Sequence, residues 1–397
     1  MITVVGYDGS ALTPAADAAL AAAALVVGGR RHLAAVPVPP GARTVELGDV
    51  DDGVEALLRH EREGAGPAVV VASGDPGFFG IVRALRVRGA VPVVLPAVSA
   101  VAAAFARAGL PWDDALVVSA HGRALRAAAN ACRALPKVAV LTAAGSGPAQ
   151  LGAALADVER TFVVAEDLGG ADEAVTRCSP DEAARRVWRD PNVVLVLDEG
   201  RAVGGRGWRA GPPAPRGWAL PEDAFAHRDG MITKAEVRAL VLPRLDPQVG
   251  DLVWDVGAGS GSVGVECARL GAAVVAVERD PAACDLVAGN AAMHGVDVRV
   301  VTGCAPDVLA DLPDPDAVFV GGSGPATVAA CAARHPARLV VALSTLERVA
   351  GTALALAAVG YAVEGELVQV SRLAPLSGGV HRLAPINPVI LLAGRRG

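Results

Sequence analysis

The run WDVGAGSGSVG has residue types and a spacing that suit a nucleotide-like ligand. Asp255 ends an apolar stretch, and glycines follow it at alternate positions, namely Gly257, Gly259 and Gly261. A glycine turn after a buried strand lets the backbone approach a ligand where a Cβ atom would clash. Glu278 ends the next apolar run, 17 residues after Gly261, where a carboxylate can bind the hydroxyls of a ribose. The run therefore predicts a strand, a ligand-binding turn and a helix.

The register of the glycines distinguishes between two nucleotide ligands. An acid two residues before the first of three alternating glycines is typical of the common S-adenosylmethionine (SAM) methyltransferase fold. Gly259, Gly261 and Gly264 also satisfy the dinucleotide pattern GxGxxG, but the turn begins one glycine earlier, at Gly257. We therefore favour SAM over NAD, with a purely structural turn as a further alternative. The predicted cofactor residues here are Asp255, Gly257, Ala258, Gly259, Ser260, Gly261 and Glu278.

Two successive series of strands and helices are needed to position such residues. The length of 397 residues suggests two or three domains. In the first half, Val-rich runs such as ITVVG and PAVVVASG alternate with Ala-rich helical stretches, a pattern typical of mostly parallel sheets. Residues 204–227 are dense in Gly, Pro and Arg, which indicates a linker. We predict an α/β domain at 1–203, a linker at 204–227 and a second α/β domain at 228–397.

Composition and charge narrow the class of protein. Hydrophobic residues make up 52%, but no apolar run reaches the ~20 residues of a membrane span, and MITVVGYDGS lacks the basic start of a secretory signal. The six cysteines form no CxxC pair, so we expect reduced core thiols and no metal site. A net charge of −6 argues against wide nucleic-acid binding. We expect a cytoplasmic protein with neither a membrane nor a nucleic acid as partner.

From Arg228 to the C-terminus the chain resembles the carbon-15 methyltransferase/decarboxylases of cobalamin biosynthesis. The matching motifs, in order, are GMITKAEVRA, WDVGAGSGSVGVE, AVERD, GCAPDVL and PDAVFVGGSG. The resemblance implies SAM contacts at Thr233, at the glycine turn, at Glu278 and at Ala305. The family usually carries an asparagine in the strand before TLE, where this chain has Ala342. The role of that amide is therefore absent here or supplied by another residue.

The residues before the glycine turn predict a helix start close to the cofactor. Thr233 and Glu236 have the Thr-x-x-Glu spacing of a capping box, which alone accounts for both. A helix that starts just before the SAM-binding strand can also lie over the cofactor, with Thr233 bonding its methionine or ribose portion. Arg228 and Lys234 would then face an acidic substrate.

The first half resembles the tetrapyrrole methylases, a separate SAM-using fold of two small α/β subdomains, and within them the carbon-5 methyltransferases of the same pathway. The matching motifs are SGDPGFFGI, PAVSAVAAAFARAGLPWDDA and SAHGR. The resemblance implies cofactor contacts at Gly6, Asp75 and Ser99, and substrate contacts at His121 and Arg123, whose guanidinium fork suits carboxylates. The alternatives are a turn role for Asp75 and a structural role for His121.

The two resemblances together identify the chain as a member of the bifunctional precorrin-6Y methyltransferases (decarboxylating). Membership implies a tetrapyrrole-methylase-like (class III) α/β domain fused to a Rossmann-like class I methyltransferase domain. It implies methylation of carbons 5 and 15 of a tetrapyrrole, removal of the ring C acetate carboxyl, one SAM site per domain and a homo-oligomer. We take Lys234, His381 and Asp316 as candidates for a general acid or base, and Arg372 as a further substrate-binding residue.

Two other functions stay open. The first is an RNA or small-molecule SAM methyltransferase with an accessory domain. Enzymes that methylate base amines typically carry an Asn/Asp-Pro-Pro-aromatic loop, whereas this chain has DAVFVGGSG at that place, which disfavours them. The second is a non-catalytic SAM- or nucleotide-sensing module. The sequence leaves open whether the tetrapyrrole carries cobalt and which methylation comes first.

Overall fold

The computed structural model of the chain describes residues 1–48, 50–120, 125–203, 210–212 and 217–396. The chain divides into two compact units, Met1–Leu125 with Lys137–Gly211 and Arg126–Pro136 with Pro212–Gly397. The boundaries that we placed around residues 204–227 stay a prediction. Among the helices of the described residues, none combines the length and the apolar composition that a membrane crossing demands.

The first sheet of the first unit is entirely parallel. Its elements are β1 (Ile2–Tyr7), α1 (Pro14–Ala21), β2 (Leu25–Gly28), α2 (Arg30–Ala35), β3 (Arg43–Glu46), α3 (Val50–Arg62), β4 (Ala68–Ser73), α4 (Ile81–Val87) and β5 (Val93–Leu95). The strand order is β3-β2-β4-β1-β5. Apolar clusters cover both faces of the central strands, as the continuous Val-rich runs predict. The carboxyl ends of all five strands therefore lie along one edge, and the loops that leave them meet there.

The second sheet of the first unit is mostly antiparallel, so the prediction of mostly parallel pairing is wrong here. The elements of this part of the chain are α5 (Ala100–Ala108), β6 (Leu116–Ser119), α6 (Leu125–Ala134, counted with the second unit from Arg126), β7 (Lys137–Leu141), α7 (Pro148–Ala154), β8 (Thr161–Glu166), β9 (Ala174–Cys178), α8 (Pro180–Ala184) and β10 (Asn192–Leu197). The order is β6-β7-β10-β8-β9, and only β6 and β7 are parallel. The apolar run NVVLVL of β10 indicates that the strand is buried on both faces. It does not indicate whether the neighbouring strands are parallel or antiparallel to it.

The second unit is built on one seven-stranded sheet. Its elements are α9 (Ala235–Leu245), β11 (Leu252–Val256), α10 (Ser262–Arg269), β12 (Ala273–Glu278), α11 (Pro281–Met293), β13 (Arg299–Thr302), β14 (Ala317–Gly321), α12 (Pro325–Ala333), β15 (Arg338–Leu343), α13 (Val349–Ala358), β16 (Ala362–Val368), β17 (Ser371–Pro375), β18 (His381–Pro385) and β19 (Val389–Arg395). The order is β13-β12-β11-β14-β15-β19-β16, with β19 antiparallel to both neighbours. The run YAVEGELVQVSRL includes β16 and the start of β17, which are separate strands because β17 leaves the large sheet to pair with β18.

Strand β11 is buried on both of its faces. Trp254 packs into the cluster on one face, and Val253 packs into the cluster on the other. Neither side chain is exposed to solvent. Because the strand is clamped from both sides, its carboxyl end presents the following glycines at a fixed place on the sheet edge.

Candidate functional site

The glycine turn, residues 257–261, lies between β11 and α10 at the carboxyl edge of the large sheet. The N–H groups of Gly257 and Ala258 donate to the carbonyl of Val277 in the neighbouring strand, at 2.9 and 3.2 Å. Gly257 has a φ of +73°, and a Cβ atom there would lie 2.3 Å from the carbonyl oxygen of Gly321. This position therefore requires glycine for both its dihedral angle and its close approach to β14.

Glu278 and the glycine turn come together as the sequence predicts. The N–H of Gly259 donates to Glu278 Oε2 at 2.9 Å, while Oε1 accepts from the backbone of Arg279 and Asp280 at 2.8 and 3.1 Å. A Cβ atom on Gly259 would meet nothing of the described protein within 4 Å, so its backbone faces open space. The Ser260 hydroxyl is buried and lacks a hydrogen-bond partner among the described residues. An open-faced glycine beside a carboxylate and a spare hydroxyl fits a ligand with ribose hydroxyls, as SAM has.

Asp255 lies beneath the turn, where it is almost wholly buried. Its Oδ2 accepts from the N–H of Gly264 at 2.8 Å, and Oδ1 has no partner among the described residues. Burial raises the pKa of Asp255 to about 7, with the charge of Glu278 adding to the rise and the Gly264 hydrogen bond opposing it. The Asp255 carboxyl group thus holds the start of α10 against β11, and this contact stabilises the glycine turn between the two elements.

The loops after the neighbouring strands meet the turn at the same sheet edge. Ala305 follows β13, and its carbonyl accepts a hydrogen bond from the Thr327 hydroxyl at 3.3 Å. Ala342 is the second-last residue of β15 and pairs with Gly321, the residue whose carbonyl approaches Gly257. The side chain of Ala342 is only a methyl group and cannot replace the amide of an asparagine. The next polar side chain along the chain, Ser344, is exposed.

We call residues 218–233 the strap. It contains the predicted site residues Arg228 and Thr233, and the predicted site residue Lys234 directly follows it. Arg228 forms an ion pair with Asp280 at 2.8 Å, and Asp280 caps α11 two residues after Glu278. The Thr233 carbonyl accepts from the guanidinium of Arg238. Lys234 follows the strap and donates to the Gly230 carbonyl at 3.1 Å.

The predicted capping box is wrong. Helix α9 begins at Ala235 with Lys234 at the N-cap, and the Lys234 side chain makes no capping hydrogen bond. Glu236 instead bonds Arg372 at 2.8 Å, and Glu222 of the strap accepts from the N–H of Ala235 at 3.1 Å. The residues that replace the capping box are Glu222 of the strap, 13 residues before Ala235, and Arg372 of the β17–β18 hairpin, 136 residues after Glu236.

Arg372 is held by two carboxylates of its own chain. Its guanidinium bonds Glu222 at 2.8 Å and also Glu236. The Arg372 hydrogen bond, more than the added backbone bond and the opposing effect of burial, lowers the pKa of Glu222 to about 2. To bind a substrate carboxylate, Arg372 would have to exchange one of these partners.

This pair predicts a pH-dependent stability. The pKa of Glu222 is depressed on folding, so the pair stabilises the second unit above the usual pKa of 4.5, and the stabilisation is lost as pH falls towards about 2. We expect Arg372→Met to lower the melting temperature most above pH 4.5. The difference from wild type should shrink at lower pH, as followed by circular dichroism. Arg382→Met, on the same hairpin, is the charge control, and a difference that is constant with pH would contradict the assignment.

The candidate acids and bases do not lie together. Asp316 immediately precedes β14, at the edge opposite the glycine turn, where its Oδ2 accepts from the N–H of Leu252 at 2.7 Å. Parallel β11 and β14 both begin at that edge, so Asp316 is a poor candidate for chemistry at the turn. His381 begins β18 and is exposed.

In the first unit, three loops converge at the carboxyl edge of the parallel sheet. A Cβ atom on Gly6 would lie 2.1 Å from the carbonyl oxygen of Gly74 and 2.5 Å from the nitrogen of Ala97. Gly6 therefore permits contact between the carboxyl end of β1, the Gly-Asp-Pro loop after β4 and the loop after β5.

Two cavities open beside this contact. One of about 350 Å³ is lined by Gly6, Asp8 and Thr13 among others, and one of about 410 Å³ is lined by Asp75, Ser99 and Thr142 among others. Asp75 Oδ1 accepts from the N–H of Gly77 at 2.8 Å, and the Ser99 hydroxyl accepts from Ala102 at the start of α5. Both side chains thus hold the local turn while lining the cavity. His121 and Arg123 lie outside the described residues.

The larger cavity has polar and aromatic neighbours that the sequence analysis missed. Ser73 lines it, and its hydroxyl accepts from Arg31 at 2.6 Å and lies 3.1 Å from His32 Nε2. Burial and the adjacent Arg31 charge lower the pKa of His32 to about 4, so the ring is neutral at neutral pH. Phe78 and Phe79 also line the cavity and are partly exposed. The charged run GGRRH directly after a buried strand is the feature that could have indicated this cluster.

Family models match the two parts of the chain separately. Residues 4–184 match the tetrapyrrole (corrin/porphyrin) methylases, and residues 223–396 match the precorrin methyltransferase domain. Fold and sites thus define a two-part precorrin methyltransferase, and this class implies SAM-dependent methyl transfer.

Individual relatives indicate which precorrin methyltransferases the chain resembles. A precorrin-6Y C(5,15)-methyltransferase [decarboxylating] from Sinorhizobium sp is 37% identical over 330 residues, 81% of this chain and 77% of that protein. A cobalt-precorrin-7 C(5)-methyltransferase from Salmonella typhimurium is 32% identical over 207 residues, 50% of this chain and 100% of that protein. A solved C-terminal domain of precorrin-6Y C5,15-methyltransferase from Rhodobacter capsulatus is 34% identical, covers 45% of this chain and 97% of its own, and has a TM-score of 0.41. The chain belongs to the precorrin-6Y C(5,15)-methyltransferase (decarboxylating) family.

Proposed function

We propose that the chain transfers methyl groups from SAM to carbons 5 and 15 of a precorrin-6Y-type tetrapyrrole and removes the ring C acetate carboxyl. The observation that carries this proposal is a pair of glycine-dependent strand-edge sites, one in each unit. Each site lies within the residues that one of the two family models matches.

In the proposed division of labour, the second unit methylates carbon 15 and decarboxylates, and the first methylates carbon 5. Each unit binds its own SAM. In the second unit the ligand would lie on Gly259 and Glu278, with Thr233 and Ala305 as further contacts. In the first unit it would lie against the loops that carry Gly6, Asp75 and Ser99.

Methyl transfer from SAM depends mainly on how the cofactor is positioned. SAM supplies a methyl group that its sulfonium centre has already activated. The glycine turn and Glu278 fix the orientation of such a ligand, and orientation can lower a barrier by roughly 7–11 kcal/mol. For the decarboxylation, the bond between the acetate methylene and its carboxyl breaks, the electron pair enters the conjugated macrocycle, and a proton replaces the CO2.

The remaining site residues are proposed for the substrate. Arg228 lies within the strap and Lys234 directly follows it, and we propose that both face an acidic side chain of the macrocycle. Lys234 and His381 stay candidates for the proton transfer. His121 and Arg123 are proposed for the carboxylates of the carbon-5 substrate.

The test uses the full chain with SAM and precorrin-6Y, with and without cobalt, and follows the product by mass spectrometry. We expect a product with two added methyl groups and one CO2 lost. If the chain binds S-adenosylhomocysteine but leaves the tetrapyrrole mass unchanged, the tetrapyrrole assignment is wrong. Salt-dependent RNA binding would then favour the RNA methyltransferase alternative.

We also propose that copies of the chain associate through the β17–β18 hairpin. Leu373 and Leu383 pair across the hairpin and are 71% and 66% exposed, which is an unusually large exposed apolar surface for one hairpin. Analytical ultracentrifugation should detect an oligomer that Leu373→Lys with Leu383→Lys dissociates. A wild-type chain that sediments as a monomer would contradict this proposal.

We propose the cytoplasm as the place of action, without nucleic-acid or membrane partners. The six cysteines are scattered along the chain without a CxxC pair, a pattern that suits reduced thiols in a reducing compartment. The net charge of −6 supports the absence of a nucleic-acid partner.

A further inference from the structure

Asn290 is a wholly buried polar side chain on α11 with no part in the function proposed so far. Its Oδ1 accepts from the N–H of Ala226 at 2.7 Å. Its Nδ2 donates to the carbonyls of Ala226 at 2.9 Å and Ser260 at 2.8 Å. One amide thus joins the strap, through both polar groups of Ala226, to the glycine turn, through Ser260.

Helix α11 meets the turn at two positions, three residues apart, that share one helix face. A Cβ atom on Gly261 would lie 2.8 Å from Val287, so the turn sits directly against this helix. Asn290 supplies the polar contact beside it. Because the Ser260 carbonyl points at Asn290, the peptide between Ser260 and Gly261 is held in one orientation, next to the open-faced Gly259.

The strap is held at its two ends by Arg238 and Glu266 and has few buried contacts in between. Its regular structure is limited to one turn of 3-10 helix, Glu222–Ala224, and residues 226–231 are exposed. Phe225 is buried against Val265 and Ala291, and His294 Nε2 lies 2.8 Å from the Ala224 carbonyl. A segment with few buried contacts opens at low free energy, so one added or lost anchor changes its open fraction strongly.

We propose that Asn290 is a positioning residue that couples docking of the strap to cofactor binding at the glycine turn. The proposal rests on the proposed SAM site of the second unit. Docking of the strap fixes the Asn290 amide, which fixes the Ser260 carbonyl and hence the turn that receives the ligand. By thermodynamic reciprocity, a ligand at the turn stabilises the docked strap by the same factor.

Hydrogen–deuterium exchange of the full chain tests the coupling, with S-adenosylhomocysteine as ligand. In wild type we expect the ligand to slow exchange in peptides that cover the strap by about 5- to 150-fold, the usual size of such couplings. In Asn290→Ala we expect that slowing to vanish, and the dissociation constant from calorimetry to rise by a factor in the same range. The KM for SAM should rise more than kcat falls.

His294→Ala is the matched control, since it removes a strap anchor one helical turn away that does not touch the glycine turn. It should speed strap exchange with and without ligand, keep the ligand-dependent slowing, and leave the dissociation constant within about twofold. Ligand-dependent slowing that survives in Asn290→Ala overturns the proposal. So does a wild type that binds the ligand without any slowing of the strap, a measurement that needs no variant to fold. A wild type that binds no S-adenosylhomocysteine refutes the proposed cofactor site itself, and the coupling with it.

Discussion

Gly257→Ala is expected to eliminate carbon-15 methylation and decarboxylation while carbon-5 methylation continues. The alanine would hold a φ of +73°, which costs an L-residue about 1–2 kcal/mol. Its Cβ would also lie 2.3 Å from the Gly321 carbonyl oxygen, so the turn must move away from β14. At 1.4 kcal/mol for each factor of ten, we expect affinity for S-adenosylhomocysteine to fall by roughly 10- to 100-fold or more in the second unit.

Two further variants isolate the cause of this loss. Gly289→Ala, on α11, adds a Cβ that meets no atom of the described residues within 4 Å, so it should leave binding unchanged and strengthen the helix by up to about 1 kcal/mol. Gly6→Ala should produce the reverse pattern, because its Cβ would lie 2.1 Å from the Gly74 carbonyl oxygen in the first unit. Carbon-15 transfer should then continue while carbon-5 transfer stops.

The measurements are calorimetry with S-adenosylhomocysteine and product mass. If Gly257→Ala and Gly6→Ala each removed both methylations, the two units would not be independent sites, and the division of labour would be wrong. If Gly257→Ala bound the ligand as wild type does, the turn would not be the cofactor site.

The features of this architecture that are formed by residues close together in the sequence could be predicted from the sequence. The glycine turn and Glu278 each follow an apolar strand directly, so strand, turn and acid were found together, and the structure joins them by the Gly259 hydrogen bond. Strand direction in the second sheet could not be predicted in this way. The run NVVLVL encodes burial on two faces, and both a parallel and an antiparallel neighbour satisfy that requirement.

The features that failed prediction depend on residues distant in sequence. Glu236 has the correct spacing for a capping box, yet Arg372, 136 residues later, takes its carboxylate. Asn290 stands in an Ala-rich helix with no pattern around it, and its partners lie 64 and 30 residues earlier. No local pattern reports such contacts, because the sequence spacing between the partners has no fixed value.

Arg238→Met is expected to destabilise the second unit by about 3–5 kcal/mol, the usual cost of leaving a buried charge without its partner. Arg238 and Glu266 are both fully buried and lie 2.8 Å apart. The guanidinium also donates to the carbonyls of Leu220 and Thr233, while Glu266 accepts from the N–H groups of Ala219 and Leu220 at 2.5 and 3.0 Å. Loss of the arginine therefore leaves the buried Glu266 carboxylate with the more distant Arg269, at 3.8 Å, as its ion-pair partner, and it removes one hydrogen bond from each end of the strap.

The decisive comparison is between the single and double substitutions. Urea unfolding of the full chain should show two transitions, one for each unit, and only that of the second unit should move. Arg238→Met with Glu266→Leu should cost less than the sum of the single changes, because the pair is then replaced by apolar side chains and no charge stays buried. Arg62→Met, which breaks the exposed pair with Glu55, should cost about 0–1 kcal/mol. If Arg238→Met cost no more than that, the buried pair would contribute nothing to the strap, and its docking would rest on its other contacts, such as those of Phe225, His294 and Asn290.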